Sequence, residues 1–315
     1  MAQPLVSIIT PSFNQAAFIQ ATMDSVLSQD YPHIEYIVVD GGSTDGTVDI
    51  LKACDDPRLT WVSEPDRGQS DAINKGLQKA QGDILAYLNS DDLYLPGAIS
   101  VTVNAFNENP DVDLVYGDCI YIDKNGVQIG AARGEAFDLQ QIVTGRVFMP
   151  QQSAFWRKRV TEAIGMFDES LHYTMDVDYW LRLFADGFKP AYFPGERGAY
   201  RLHGDSKTVS QMSGFWRDWD TMIDKFFHLP ALSQEMAQMR TNIKQNYLWM
   251  YTLYAPWKQG YRIELRPYLK QIITGAVPLR HRFLAIAMIV DTYLQTSFAD
   301  AILQRFERRR EMTRT

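Results

Sequence analysis

The first 92 residues alternate apolar, β-branched runs with helical patterns, and each apolar run ends on carboxylates or small polar residues. Leu5–Phe13, Ile34–Asp40, Leu59–Glu64 and Ile84–Leu88 carry the strand signal, while Ala16–Ser28, Thr47–Cys54 and Gln69–Ala80 between them carry helical spacing. Strands separated by helices of this length imply crossover units, so the pattern predicts an α/β fold with a mixed, mostly parallel sheet covered by helices on both faces. Open sheets of this kind bind ligands beyond the carboxyl ends of their strands. Those ends read Thr10-Pro11-Ser12-Phe13-Asn14, Asp40-Gly41-Gly42-Ser43-Thr44-Asp45-Gly46, Glu64-Pro65-Asp66-Arg67-Gly68 and Asn89-Ser90-Asp91-Asp92. Ser43 or Asp45 alone reads as a helix cap; four polar clusters on one rim read as a ligand site.

Composition narrows the class. A chain of 315 residues that is 46% apolar and 22% charged is long enough for a sizeable core and is not a disordered polymer. Cys54 and Cys119 are too few for a disulfide framework and fit a reducing cytosol. The amino-terminal residues lack the basic and apolar regions of a secretory signal. The net charge of −7 conceals a division: residues 1–200 hold 14 Lys and Arg against 28 Asp and Glu, and residues 201–315 hold 17 against 10. That division does not read as one nucleic-acid-binding surface. It fits a basic tail docking on something anionic, or simply two solvated faces.

Asp91-Asp92 is the most informative pair. Adjacent carboxylates after an apolar strand repel one another unless a cation or a donor-rich ligand neutralises them, and hard divalent ions such as Mg²⁺ or Mn²⁺ use one or two carboxylates together with phosphate oxygens. The alternative is an N-terminal cap for a helix over 95–107. No G-x-x-x-x-G-K-[ST] loop is present, and the Gly41–Gly46 run lacks the G-x-G-x-x-G order, so phosphate-loop and dehydrogenase readings drop out.

Ser7-Ile8-Ile9-Thr10-Pro11-Ser12-Phe13-Asn14, Val38-Val39-Asp40-Gly41-Gly42-Ser43-Thr44-Asp45-Gly46-Thr47 and Asn89-Ser90-Asp91-Asp92 resemble the family 2 inverting glycosyltransferases of the GT-A fold. Met175-Asp176-Val177-Asp178-Tyr179-Trp180-Leu181-Arg182 resembles that family's later Glu-Asp-x-Asp-x-Trp-x-Arg segment, so the resemblance spans about residues 5–207. It departs at Asn89, where many relatives carry Asp, and at Met175, where Glu is usual.

The resemblance implies a nucleotide-diphosphate-sugar donor, a UDP-sugar by preference, and a saccharide or lipid-linked saccharide acceptor. Pro11, Phe13 and Asn14 then line the base and ribose pocket, Asp40 accepts from the base, Ser43 and Asp66 complete the donor site, and Asp91 is the ribose or metal-shell carboxylate. Arg67 and Lys75 face phosphate or solvent. Asp92 is expected to ligate Mn²⁺ or Mg²⁺, joined by His203, with Arg201 and Lys207 near phosphate. Asp176 is expected to take the acceptor proton or to cap a helix over 177–185, and Asp178 to orient its neighbours. Gln151-Gln152-Ser153 is expected in the acceptor pocket. Trp156 and Tyr173 are candidates to stack on a sugar, buried core aromatics being the alternative.

Two readings compete with transfer. A nucleotidyltransferase would carry a Gly-rich basic loop after the first strand, which 10–15 is not; a non-catalytic nucleotide-sugar-binding protein would have no need of Asp92 and Asp176 together.

The rest of the chain divides further. Asn125-Gly126 between alternating apolar residues signals a hairpin and an antiparallel edge. The resemblance places a catalytic domain over 1–214, with a nucleotide-sugar half to about 118 and an acceptor half over 119–214. The pattern over 215–315 is helical. Its apolar run 283–290 is too short to span a bilayer and is followed by Arg305, Arg308, Arg309 and Arg310. It suits a helix lying on anionic lipid at the inner face of the plasma membrane, or a core helix or dimer contact.

Overall fold

The computed structural model describes residues 3–143, 149–203, 212–229, 269, 279–294 and 299. The chain forms two compact units, Met1–Ile142 with Arg146–Ser233, and Val143–Gly145 with Gln234–Thr315.

The first unit is built on one nine-stranded sheet. β1 (Val6–Ser12), β2 (Ile34–Asp40) and β3 (Leu59–Ser63) follow one another outward in parallel, linked by α1 (Ile19–Leu27) and α2 (Thr47–Ala53). After α3 (Gln69–Lys79) the chain returns to place β4 (Ile84–Tyr87) on the other side of β1, also parallel. Strand order therefore reverses at β1/β4, the place where open α/β sheets leave a crevice. β1 is buried at all seven positions and β2 at six, as a strand covered on both faces requires.

The rest of the sheet is mixed. The short β5 (Leu93–Tyr94) precedes α4 (Ala98–Glu108), and β6 (Leu114–Ile122) turns into β7 (Gln128–Ala132). That antiparallel hairpin pivots on Gly126 at φ 84°, with Asp123 Oδ1 accepting from the Asn125 and Val127 amides at 2.8 and 2.9 Å. A short α5 (Leu139–Val143) and a 3₁₀ turn (Gln151–Ser153) lead into β8 (Phe155–Arg157), which inserts antiparallel between β4 and β6. Then come α6 (Lys158–Ile164), α7 (Met175–Ala185), β9 (Pro190–Arg201) and α8 (Met212–Phe226).

Two departures from the sequence pattern matter. Pro194-Gly195 reads as the end of a strand, yet β9 continues to Arg201, parallel to β6 through register shifts and with Gly195 at φ 125°. This extension carries Arg201 to the end of β4. The helix expected from Leu95 begins only at Ala98, because Leu93 and Tyr94 pair with β9.

Trp156 is fully buried and not at a sugar site. Its ring lies 5.5 Å from Tyr179, 5.6 Å from Trp180 and 6.1 Å from Phe167, and its Nε1 donates to Thr161 Oγ1 at 2.9 Å. No ring face remains for a carbohydrate, so the stacking expectation is overturned: the aromatic signal here is core.

In the second unit, α9 (Leu279–Leu294) buries Leu284, Ala285 and Met288 and exposes Phe283, Ile286, Val290, Tyr293 and Leu294. Lys207, the arginines at 305–310 and most of the expected C-terminal helical region lie outside the described residues. Among the described residues no helix is long and apolar enough to cross a membrane.

Candidate active site

The loops after β1 and β2 are stitched together by side chains. The Asn14 amide donates to Ser43 Oγ at 2.7 Å, and Asn14 Oδ1 accepts from the Thr44 amide at 2.9 Å. The Gln15 amide reaches Thr47 Oγ1, and the Ala16 amide reaches Asp45 Oδ2, both at 2.9 Å. Asn14 sits at φ 52°, a left-handed conformation that Asn tolerates better than most residues. Asp45 also accepts from the Thr47 amide, so the Ser-Thr-Asp-Gly-Thr run both starts α2 and fixes the neighbouring loop.

The roles inside that rim differ from those expected. Asp40 is fully buried, and its carboxylate accepts from the Gly42 and Ser43 amides and from the hydroxyls of Ser43 and Ser63. It shapes the turn from beneath and does not present its oxygens to a base. Pro11 is likewise buried within β1. Phe13, by contrast, is 59% exposed. Asp66 lies across Gly41: a Cβ there would come within 2.6 Å of its Oδ2, so a larger residue would push the Asp66 carboxylate aside. Asp66 Oδ1 accepts from the Gly68 amide at 2.8 Å.

Arg67 is paired with Asp71 at 2.9 Å and Glu169 at 2.8 Å, and Lys75 with Glu64 at 2.9 Å. These cations meet carboxylates here, not an open phosphate position. The Arg67 hydrogen bond outweighs desolvation and holds Asp71 down at about 2.

At the end of β4 the two adjacent carboxylates separate sharply. Asp92 is fully buried and accepts from Gln152 Nε2 at 2.9 Å, the Arg201 amide at 2.9 Å and Asn89 Nδ2 at 3.0 Å. Burial and the neighbouring Asp91 charge push its carboxyl upward. Gln152 is also buried, held against β9 where Gly198 leaves room: a Cβ there would lie 2.5 Å from the Gln152 carbonyl oxygen. Asp92 as a direct metal ligand and Gln152 as an acceptor contact are both overturned, since both side chains lie behind the rim. Asn89 is thus tied to Asp92 through its Nδ2, and its Oδ1 accepts from Gln69 at 2.6 Å.

Asp91 faces the other way. Its Oδ2 lies 3.0 Å from His203 Nε2, and their side chains are 19% and 8% exposed. The His203 ring packs on Phe18 at 4.8 Å. Phe18 also lies under the Arg201 guanidinium, whose Nε donates to the Asp91 carbonyl at 2.7 Å and whose Nη1 reaches the Asp123 and Lys124 carbonyls. Arg201 therefore braces the loops around Asp91 in place of the expected phosphate contact. A carboxylate oxygen beside an imidazole nitrogen suits a Mn²⁺- or Mg²⁺-sized ion that takes its remaining ligands from phosphate and water. Among the described residues there is no group of three or more His, Cys, Asp or Glu side chains able to hold a metal alone.

Asp176 occupies the first turn of α7, whose N-cap is Thr174, so Asp176 is not the cap. Its carboxylate accepts from the Val177 amide at 2.8 Å and pairs with no cation among the described residues. Burial raises it to about 6. The Tyr87 hydroxyl, at the end of β4, is pushed up by burial and then by the charges of Asp176 and Asp92. Asp178 is bound by Arg182 at 2.8 Å, and Arg182 also donates to the Ile164 and Met166 carbonyls, so this pair holds α7 in place. Tyr173 is half-buried on the loop before α7, with its amide donating to Asp218 at 2.7 Å. Phe18 and Asp218 had no signal in the sequence: neither belongs to a polar strand end.

Residues 7–167 match the family described as "Glycosyl transferase family 2". An uncharacterized glycosyltransferase of Mycobacterium tuberculosis is 35% identical over 182 residues, covering 57% of this chain and 68% of the relative. A protein of Mycobacterium bovis named as a PGL/p-HBAD biosynthesis glycosyltransferase is 34% identical over 190 residues, 59% of this chain and 72% of its own. Among solved structures, S. aureus TarS in complex with UDP-GlcNAc superposes with a TM-score of 0.67 at 17% identity, covering 95% of this chain and 92% of that one. The Pyrobaculum calidifontis mannosyltransferase PcManGT with GDP-Man and Mn²⁺ gives 0.61 at 18% identity, covering 96% of this chain and 86% of that one. At those identities the likeness is one of fold, and the fold is that of the GT-A glycosyltransferases.

Proposed function

The chain belongs to glycosyl transferase family 2, and from that premise we propose that it moves a sugar from a nucleotide-diphosphate sugar to an acceptor hydroxyl with inversion at the anomeric carbon. The observation that carries this reading is the arrangement around the end of β4. There the rim pair Asp91–His203 follows the strand, and Asp176, raised by burial and paired with no cation among the described residues, acts on the Tyr87 hydroxyl of that strand. Asp176 takes the proton from the acceptor hydroxyl while that oxygen attacks the anomeric carbon. The bond to the diphosphate oxygen breaks on the opposite face, and its electron pair leaves with the nucleoside diphosphate. A carboxyl of about 6 is largely ionised at neutral pH and basic enough to share that proton.

Asp91 and His203 are the residues that fit Mn²⁺ or Mg²⁺, which when bound supplies positive charge against the departing diphosphate. The exposed Phe13 ring and the Asp66 carboxylate beside Gly41 are the groups left to meet base and ribose. A UDP-sugar is the preferred donor, supported by the complexes of TarS with UDP-GlcNAc and UDP. We place the product in cell-surface polysaccharide or lipid-linked oligosaccharide synthesis, supported by the relatives named for PGL/p-HBAD biosynthesis. We retain a catalytic domain over 1–214, with the donor rim before about 118 and the acceptor half after it. Titration of UDP in the presence and absence of Mn²⁺ tests the rim. Asp91→Ala and His203→Ala each reduce the Mn²⁺-dependent gain in UDP affinity by at least about tenfold at unchanged Tm; a gain equal to wild type in both variants contradicts the assignment.

The second unit gives the chain a membrane-facing surface in this reading, at the inner face of the plasma membrane. Phe283, Ile286, Val290, Tyr293 and Leu294 recur at helical spacing along one exposed stripe of α9, with Arg282 beside it in the helical wheel, in a region of excess positive charge. The full chain is expected to float with phosphatidylglycerol vesicles and not with neutral ones, and Phe283→Asp combined with Leu294→Asp abolishes flotation. Equal flotation of the double variant contradicts the surface.

A further inference from the structure

Residues 167–174, the loop leading into α7, are gripped from two sides at alternating positions. On the α3 side, Asn74 exchanges two bonds with the Phe167 backbone, both at 2.9 Å, Arg67 pairs with Glu169, and Ser70 Oγ donates to the Leu171 carbonyl at 3.2 Å. On the α8 side, Lys225 pairs with Asp168 and donates to Ser170 Oγ at 2.7 Å. Asp218 closes the series: its Oδ2 accepts from the amides of both His172 and Tyr173, the latter at 2.7 Å. These are the last two residues before Thr174, the N-cap of α7, and Asp176 follows two residues later. Ser70 also donates to the Met175 sulfur at 2.8 Å, so α3 touches the first residue of the helix itself.

We propose that Asp218 is a positioning residue for the transfer reaction: its single carboxylate oxygen, binding two consecutive amides, sets where α7 begins and so where the Asp176 carboxylate stands. The inference rests on the reading of Asp176 as the proton acceptor. Charge-assisted bonds from a carboxylate to backbone amides are among the stronger and more directional in proteins. Without Asp218 the α3 contacts still hold residues 167, 169 and 171, while the His172 and Tyr173 amides lose the carboxylate oxygen that both donate to. The expected loss is therefore in geometry at Asp176, not in donor binding or in the fold. Small displacements of a reacting group reduce rates by about 100-fold.

The full chain and its Asp218→Ala, Asp218→Asn and Asp176→Asn variants are compared for UDP binding with Mn²⁺ and for release of UDP from UDP-GlcNAc and of GDP from GDP-mannose. Asp218→Ala is expected to release UDP about 100-fold more slowly than wild type at saturating donor, with KM for the donor and UDP affinity within about twofold. Asp218→Asn retains an acceptor oxygen and is expected to recover turnover to within about threefold of wild type. Wild-type turnover in Asp218→Ala, or equal loss of turnover and of UDP affinity in both Asp218 variants, overturns the proposal. A wild-type chain that neither binds UDP nor turns over donor, or an Asp176→Asn variant at full rate, overturns the underlying reading instead, and the role of Asp218 with it.

Discussion

Asp176→Asn is expected to lower sugar transfer by about 10²–10⁴-fold while leaving nucleotide affinity unchanged, the range over which a positioned general base contributes. The same substitution is expected to leave the fold as stable as wild type or more so. The reason is the direction of the shift. Burial raises the Asp176 carboxyl to about 6, so the folded chain holds that proton more tightly than the unfolded chain does. The associated stability is present in acid and is lost as pH rises through about 6; above that value the folded protein carries a desolvated carboxylate that no cation among the described residues relieves. Asparagine removes this cost. Tm for Asp176→Asn should thus equal or exceed wild type at pH 8 and lose any advantage near pH 4. The wild-type rate should show the other face of the same ionisation, with kcat/KM falling about tenfold per unit below pH ~6. Retained transfer in Asp176→Asn, or a pH profile flat from 5 to 8, contradicts the assignment.

Trp156→Ala is expected to destabilise the first unit by about 3–5 kcal/mol, the usual result of emptying a buried tryptophan site. For a unit of this size that lowers Tm by roughly 10 °C. The ring is surrounded by Phe167, Tyr179 and Trp180, and its Nε1 bond to Thr161 is linked onward through the 2.7 Å contact between Thr161 and Tyr179. Truncation therefore opens a cavity and removes one of the two hydrogen bonds at Thr161 Oγ1. A sugar-stacking tryptophan would behave differently: its loss would raise acceptor KM and leave Tm in place. Thermal unfolding of Trp156→Ala and Trp156→Phe separates the two, with the phenylalanine variant expected to lose less. An unchanged Tm in Trp156→Ala would return this ring to the acceptor site.

These two residues also mark where the sequence was legible. The parallel strands and the rim at their ends followed from runs such as Ile34–Asp40 and Ile84–Tyr87, because a doubly covered sheet requires continuous apolar strands and leaves its polar residues at the ends. The Asn125-Gly126 hairpin followed from turn chemistry alone. Assigning roles within the rim did not follow. Asp91 and Asp92 are neighbours in sequence, yet one lies beside His203 while the other is locked behind the rim by Gln152, Asn89 and the Arg201 amide. That partition depends on β9 running past Pro194-Gly195, which local signals read as an end. Asp40 and Asp66 exchanged apparent importance for a similar reason. The buried one holds its own turn through four donors, and the other depends on the absence of a side chain at Gly41. Asp218 was invisible because its partners are backbone amides 45 and 46 residues away.

The stereochemistry of the first sugar released tests the central claim most directly. With Mn²⁺ and an α-linked UDP- or GDP-sugar, time-resolved proton NMR should show the β anomer appearing first, before mutarotation, at a rate that Asp176→Asn abolishes. An α anomer appearing first, or release that survives Asp176→Asn unchanged, would contradict a single displacement assisted by Asp176.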